Sequence, residues 1–419
     1  MTTTPTGFPN RHPARRAAFG FIFAAALMNA VSFGIMIPIL PNLIKQLTHG
    51  DTAAAAEWNV LFATVWGLMQ FVFGPILGML SDRFGRRSVL LLSIFGLFVD
   101  FLFMAFAPTL MWLFVGRVFN GVTAASFSTA NAYVADITAP DQRARNFGIM
   151  GSAFGFGFIV GPAVGGLFGE VGLRLPFMVA AGLCLINGLY GLFVLPESLA
   201  PERRTASIQW SRANPLGSVA FLRERAQLGA LVLVMFLFQL GFTVLPSVFV
   251  LYSGYRYGWT PGVLGLTFVA TGFSQIIVQI FLVGPVVKRI GERGAVLLGT
   301  SMGALGFVIY GLAPTGVMYM LGLPVWALSG FLQPGLQGLM SRRVGPAHQG
   351  QLQGVSQSVQ GIGSILGPPL FGLTFAWAIR HDATLHLPGL PILISAALLL
   401  SAFLLSLRVA TPAPAVPPA

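Results

Sequence analysis

The stretch GMLSDRFGRRSVLL, Gly78 to Leu91, sets Asp82, Arg83, Arg86 and Arg87 between two runs that carry almost no charge. Upstream lies an apolar run near 58–80 and downstream another near 88–107, each about the 20 residues that cross roughly 30 Å of hydrocarbon. A short charged turn between two such runs is what a chain needs to cross a membrane, turn and cross back. Carried along the whole sequence, the same pattern gives twelve spans, near 18–44, 58–80, 88–107, 110–135, 146–169, 176–195, 228–252, 261–283, 294–313, 315–341, 351–379 and 388–407. Composition agrees: 55% of residues are hydrophobic, 9% are charged and the mean hydropathy is +0.79, whereas a soluble domain of this size carries about 25% charge. The fold class is an all-α integral membrane protein with twelve transmembrane helices.

A net charge of +12 and a pI near 11 would suit a nucleic-acid binder, so the placement of the 24 Lys and Arg residues decides. With both termini on one side, 19 of them fall on that side, and Lys45, Arg174, Arg256 and Arg380 alone fall on the other. The positive-inside rule then puts both termini in the cytoplasm. Anionic lipid at that leaflet accounts for the charge without a nucleic-acid partner. The first apolar run is about 27 residues long, beyond the core of a cleavable signal, and reads as span 1. Cys184 is the only cysteine, which excludes a disulfide within the chain. Residues 196–225, with PESLAPERRTASIQWSRANPLGS, read as a cytoplasmic linker between bundles of six helices at 1–195 and 226–410, and 411–419 as a Pro/Ala-rich tail.

The two bundles read as copies of one unit. At an offset of 206 residues Gly78, Arg83, Gly85, Arg87, Leu91 and Leu92 fall on Gly284, Arg289, Gly291, Arg293, Leu297 and Leu298. Without a gap, Gly148, Ser152, Gly155, Gly157, Gly161, Pro162 and Gly166 fall on Gly354, Ser358, Gly361, Gly363, Gly367, Pro368 and Gly372. Six spans per copy give both copies the same orientation, so the axis relating these two pseudo-repeats runs along the membrane normal.

That plan, the loop pattern G-x-x-x-D-R-x-G-R-R at Gly78–Arg87 and GFGFIVGPAVGG at Gly155–Gly166 resemble the major facilitator superfamily and its drug/proton antiporter branch. Over almost the whole chain the sequence resembles the tetracycline/proton antiporter family, through GIMIPILPNL in span 1, YVADIT and RARNFGIMG around the 4–5 turn, LPES after span 6, GERGAVLLG, LQPGLQGLMSRRV and QGQLQG. The resemblance implies the major facilitator fold in a bacterial inner membrane and export of a lipophilic or amphipathic small molecule in exchange for protons by alternating access. A proton-coupled importer or a uniporter stays open, as does a non-transporting membrane sensor, because a fold does not fix direction or flux. The partners expected are substrate, protons and the lipid bilayer, with the monomer as the working unit. No G-x-x-x-x-G-K-[ST] loop and no nucleophile-and-base constellation occurs, and the five histidines lie in termini or loops. No enzyme, cofactor or metal site is therefore expected.

Of the 12 acidic residues, only Asp100 lies inside a span, within FGLFVDFLFMAF. A carboxylate at that depth costs about 2.5–3.5 kcal/mol on insertion scales and is a candidate proton carrier. Arg117 is the only basic residue inside a span, and it resembles the span-4 arginine that this branch uses in proton coupling. The family's tetracycline exporters carry ionisable residues where this chain has Asn29, Gln275 and Gly303, so three of their charged positions are neutral here. Amides at helical spacing take their place: Gln275 and Gln279 in span 8, Gln333 and Gln337 in span 10, and Gln353, Gln357 and Gln360 in span 11, with Gln239 in span 7 and Asn29, Gln70, Asn120 and Asn131 on the facing half. Such faces serve either a substrate wall or helix-to-helix hydrogen bonding.

Gly157, Gly161, Gly165 and Gly169 make a smooth ridge on span 5, and Pro162 permits a bend. Gly367 and Pro368 repeat the pattern in span 11, which makes these spans candidates for hinge or close-packing elements. The resemblance implies that the opening turn, with Gly78, Asp82, Arg83, Gly85, Arg86 and Arg87, is a cytoplasmic latch of the outward-facing state, with Asp136 as partner to an arginine. The second copy has Lys288 for Asp82 and Glu292 for Arg86, so the latch is expected to be one-sided.

Overall fold

A computed structural model describes residues 12–138, 142–200, 202, 204–205, 226–344 and 349–409, so most of the linker expected at 196–225 and all of the 411–419 tail lie outside the described residues. The described residues are helical with no strand, because each span in lipid must satisfy its own backbone hydrogen bonds. Spans 1 to 3 are His12–Leu47, Thr52–Phe84 and Arg86–Phe106; spans 5 and 6 are Arg143–Val171 and Leu175–Phe193; spans 11 and 12 are Gln349–Arg380 and Leu390–Val409. The others are broken. Span 4 is Leu110–Thr123 and Ser126–Ile137, and span 7 is Ala226–Phe242 and Val244–Tyr257. Span 8, Pro261–Ile277, runs through a π-helical turn at Val278–Leu282, and span 10 joins Gly316–Ala327 to Leu332–Val344 by a 3-10 turn at Leu328–Phe331. Eleven helical stretches are long and apolar enough to cross a membrane, and one of them, the 52 residues Pro261–Leu312, bends at Gly291 into spans 8 and 9. The chain is thus a multi-pass membrane protein with twelve spans.

The 206-residue repeat is visible in the breaks. Gly85 sits at φ 102° and Gly291 at φ 72°, a region that glycine enters without steric cost, and each turns the chain from one span into the next. The break of span 4 at Ala124 and Ala125 returns in the 3-10 turn of span 10. Side chains catch the backbone groups that these breaks free: Ala125 N donates to Ser93 Oγ at 3.1 Å, and Gly330 O accepts from Gln279 Nε2 at 3.2 Å.

Within lipid, close packing joins helices more than hydrophobic burial does, and small residues mark the contacts. In the first half, Gly161 meets Gly34 and Val31 of span 1, Gly121 meets Trp66 and Met69 of span 2, and Gly188 meets Phe95 of span 3. In the second half, Gly299 meets Leu332 of span 10, and Gly241 and Gly303 meet span 12 at Ser395 and Leu399. Two seams join the halves: Gly166 of span 5 against Pro261 and Gly265 of span 8, and span 2 against span 11 through Gly67 with Ser364 and Val60 with Gly372. Both seams lie away from the linker. Toward the linker, side chains added at Gly74 and Gly78 of span 2, Gly148, Gly151 and Gly155 of span 5, or Gly354 of span 11 would meet nothing within 4 Å. The halves close on the far side and part on the linker side.

Candidate functional site

Among the described residues, a single Asp–Arg pair lies inside a span, and it joins spans 3 and 4. Arg117 Nε donates to Asp100 Oδ1 at 3.2 Å and Arg117 Nη2 pairs with Asp100 Oδ2, a two-pronged fork. The side chains are 0% and 4% exposed. Arg117 Nη1 also reaches Met36 Sδ of span 1 at 3.1 Å, so three spans close around the pair. Asp100 lies six residues from the end of span 3 at Phe106 and four from the helix midpoint at Gly96, about 9 and 6 Å along the helix, and therefore sits just to the far side of the midplane. Gly116 makes room for it, since a side chain there would meet Asp100 Oδ1 and Phe103, each at 2.9 Å.

At the opposite end of span 3 the opening turn forms a charge network. Arg86 Nη1 pairs with Asp82 Oδ1 at 2.5 Å, and Arg86 Nε with Asp136 Oδ2 at the end of span 4 at 3.2 Å. Arg87 Nε donates to Gly191 O at 3.2 Å and its Nη2 to Leu192 O, which ties the turn to span 6. Arg83 points outward, stacked over Phe84 at 5.4 Å. Span 3 lacks a side-chain cap of its own, and Glu197 supplies one: Oε1 accepts from Arg86 N at 2.8 Å and Oε2 from Arg87 N at 3.2 Å. A side chain at Gly85 would collide with that carboxylate. A carboxylate on a helix N-terminus contributes about 0.3–1 kcal/mol through the helix dipole. Ser198 Oγ adds a bond to Asp136 Oδ2 at 3.1 Å, and Thr205 N donates to Asp82 O at 3.1 Å, so the start of the linker clasps this turn.

Polar contacts fasten the far side across the halves. Glu57 Oε1 of span 2 accepts from Arg380 Nη1 of span 11 at 2.5 Å. Glu170 Oε1 of span 5 accepts from Gly262 N, in the first turn of span 8, at 2.7 Å. Asn59 Nδ2 donates to Ser247 O of span 7 at 3.1 Å.

The predicted amide wall divides between gap and packing. On span 11, Gly361 meets Phe71 of span 2, and Gln357 and Gln353 continue the same helical stripe one and two turns toward the linker. Gln353, Gln357 and Gln360 are exposed there, as is Gln70, one turn below Gly67 on span 2. Gln333 is exposed and Gln337 half-buried. Gln275 and Gln279 instead rest on span 10, where a side chain at Gly330 would meet them at 3.0 and 3.1 Å. Asn120 is buried and accepts from Trp66 Nε1 at 2.7 Å, and Gln239 packs against Gly363 of span 11. Asn29 lines a small enclosed cavity with Ile94, Ala130 and Phe154, inside the first half, and Asn131 is half-buried. On span 5, Gly157, Gly161 and Gly165 pack on span 1 at Ala30, Gly34 and Ile35, while the Pro162 ring lies against Gly34 and its carbonyl against Gly265 of span 8. Gly367 packs on Thr243, at the break in span 7, and Pro368 is buried beside it.

A family model described as the major facilitator superfamily matches residues 22–368 and, again, 231–419. The chain belongs to the major facilitator superfamily. Among its relatives in that superfamily, tetracycline resistance protein class C of Escherichia coli is 38% identical over 85% of this chain and 89% of its own length. Class G of Vibrio anguillarum is 36% identical over 87% and 94%. Both place this facilitator with the tetracycline resistance proteins. Solved structures share the fold: a human organic anion transporter at TM-score 0.66 and 22% identity, covering 94% of this chain and 100% of its own. A bacterial homologue of the human lysosomal transporter Spinster, inward-facing and unoccupied, has TM-score 0.72 and 16% identity, covering 96% and 100%. Sequence reasoning missed one residue in this facilitator's charged turn, Glu197. The signal was present, an acid right after span 6 in a chain with 12 acids, but nothing local says that the chain folds back onto span 3.

Proposed function

We propose that this protein is a secondary exporter that moves a lipophilic or amphipathic drug, of the tetracycline kind named for its relatives, out of a bacterium in exchange for protons. The observation that carries this is the buried Asp100–Arg117 pair, in a member of a drug-resistance family. A proton that reaches Asp100 removes the charge that holds Arg117, and the freed guanidinium repacks spans 1, 3 and 4; the pair is thus the coupling element. The linker side is cytoplasmic by the positive-inside rule, the bundles 1–195 and 226–410 rock about the gap, and the conformation described here is inward-facing. Asp82, Arg86 and Asp136, with Gly78, Arg83, Gly85 and Arg87, form the cytoplasmic gate. Gln70, Gln353 and Gln357 contact substrate from the gap. Gly157, Gly161, Pro162 and Gly165 of span 5, with Gly367 and Pro368 of span 11, let these spans slide. The monomer in the inner membrane is the working unit, and its activity is transport, with no bond made or broken.

Everted membrane vesicles from a drug-sensitive host that expresses the chain provide the test. Tetracycline added to respiring, acid-interior vesicles should enter and release part of the proton gradient, and uncoupler should abolish its accumulation. Accumulation indifferent to uncoupler would overturn the reading.

A further inference from the structure

We propose that a cleft on the outer surface of the first half binds one anionic phospholipid of the far-side leaflet, with an acyl chain in the cleft and the headgroup phosphate on Arg174. The inference is independent of the substrate and of the direction of transport. Val99, Leu102, Phe103 and Phe106 follow one another at i, i+3, i+4 and i+7 and make one stripe of span 3. With Ala107 and with Trp112 of span 4 they line a cleft of about 540 Å³, within the range of about 300–1,000 Å³ usual for small-molecule sites. Phe106 is 65% and Trp112 52% exposed, so the cleft opens away from the bundle, toward lipid. Its lining holds no titratable side chain. An ion at that depth would go unmatched, whereas a hydrocarbon chain fits.

A cation stands at the far-side end of this cleft. Arg174, just before span 6, donates from Nη1 to Ala105 O at 2.9 Å and from Nη2 to Ala107 O at 2.7 Å. Both are carbonyls that the end of span 3 leaves without helical partners, and Ala107 is itself part of the cleft wall. A guanidinium has five N–H donors, so donors remain for a phosphate. No carboxylate pairs with Arg174 among the described residues, which leaves its charge to be matched from outside the protein. Trp112, two residues into span 4, lies near the same end, where indole rings meet headgroups. Inside a bilayer one acyl chain gains little over another by leaving its neighbours, so the preference for one lipid comes from Arg174.

The cleft also adjoins the buried pair. The rings of Phe103 and Trp112 stack with centroids 5.7 Å apart and join span 3 to span 4. Phe103 packs on Gly116 beside Asp100 Oδ1, one residue before Arg117. A chain lying along this stripe therefore braces the two spans that carry Asp100 and Arg117.

The full chain in phosphatidylcholine nanodiscs, doped with phosphatidylglycerol that carries a photoactivatable acyl chain, tests this by illumination, digestion and mass spectrometry. Adducts should concentrate within residues 99–112, and excess unlabelled phosphatidylglycerol should cut them about tenfold by mass action. The same photoactivatable chain on phosphatidylcholine should label this stretch weakly. Arg174→Gln should abolish the preference between the two lipids. Because that change also frees two carbonyls of span 3, Leu102→Trp supplies a second variant: it fills the cleft, leaves the Arg174 bonds in place and should lose the adducts within 99–112 while labelling of other spans persists. Phosphatidylglycerol should raise the thermal unfolding midpoint of the unaltered chain and leave that of Leu102→Trp where it is. Equal labelling by both lipids, adducts spread evenly over the lipid-facing spans, or a preference that survives Arg174→Gln would overturn the inference. Protection of 99–112 from both lipids, together with the mass of a dimer, would assign the cleft to a second copy of the chain and overturn it as well.

Discussion

Asp100 and Arg117 lock span 3 to span 4 by an ion pair; 206 residues on, Gly306 and Leu323 hold span 9 to span 10 with no charge at all. The scaffold is otherwise the same. Gly116 packs on Phe103 in the first half, and its counterpart Gly322 packs on Ile309, the counterpart of Phe103. Gly306 rests on Trp326, and Leu323 is 6% exposed. Apolar residues therefore suffice to build this corner of the fold. Replacing a buried ion pair by well-packed apolar residues is often neutral or stabilising, so stability alone does not call for the pair in the first half.

The charged turns differ in another way. Arg86 and Asp136 pair at 3.2 Å, while Glu292 and Arg342, their counterparts at the same offset, pair at 2.9 Å with the signs exchanged. Arg87 and Arg293 each donate to carbonyls at the end of the last span of their half, Gly191 O at 3.2 Å and Leu407 O at 3.1 Å. The bond within each half needs opposite charges and is indifferent to their order. The exposed charge does differ: the first copy presents Asp82, 45% exposed, where the second has Lys288.

The comparison can be broken at three places. The largest effect is expected from Arg117→Leu alone, which strands Asp100 in the interior and should cost about 3–5 kcal/mol of stability. Adding Asp100→Gly, which gives the first half the residues of the second, should recover most of that loss in thermal unfolding in detergent without restoring transport. At the turns, Asp82→Asn should lower turnover about tenfold, a loss of about 1.4 kcal/mol of transition-state stabilisation, and Lys288→Gln should leave it nearly unchanged; equal effects would refute a one-sided latch. The smallest effect concerns the exchanged pair. Arg86→Glu or Asp136→Arg alone should each cost about 1 kcal/mol, and the double variant should regain part of it, since Arg86 also serves Asp82.

Much of this was legible in the sequence because it depends on local period and composition. The spans follow from apolar length, the turn residues Gly85 and Gly291 from the repeat, and Asp100 and Arg117 stand out because charge inside a span is rare. The rest depends on neighbours. Helical spacing puts Gln275 and Gln279 on one face, yet only packing shows that the face rests on Gly330 of span 10 and not on the gap. The breaks in spans 4, 7 and 10 carry no proline at the break itself, so the backbone cost is met by tertiary partners such as Ser93 and Gln279. Glu197 caps span 3 from 111 residues away, and the seams at Glu57 and Glu170 depend on which side of the molecule is closed.

Whether the interior pair carries proton coupling is read out by Asp100→Asn in everted vesicles at matched expression. Uphill tetracycline accumulation should fall to the level seen with uncoupler, while exchange of labelled for unlabelled drug at equilibrium should persist. Undiminished uphill accumulation in Asp100→Asn would contradict that role.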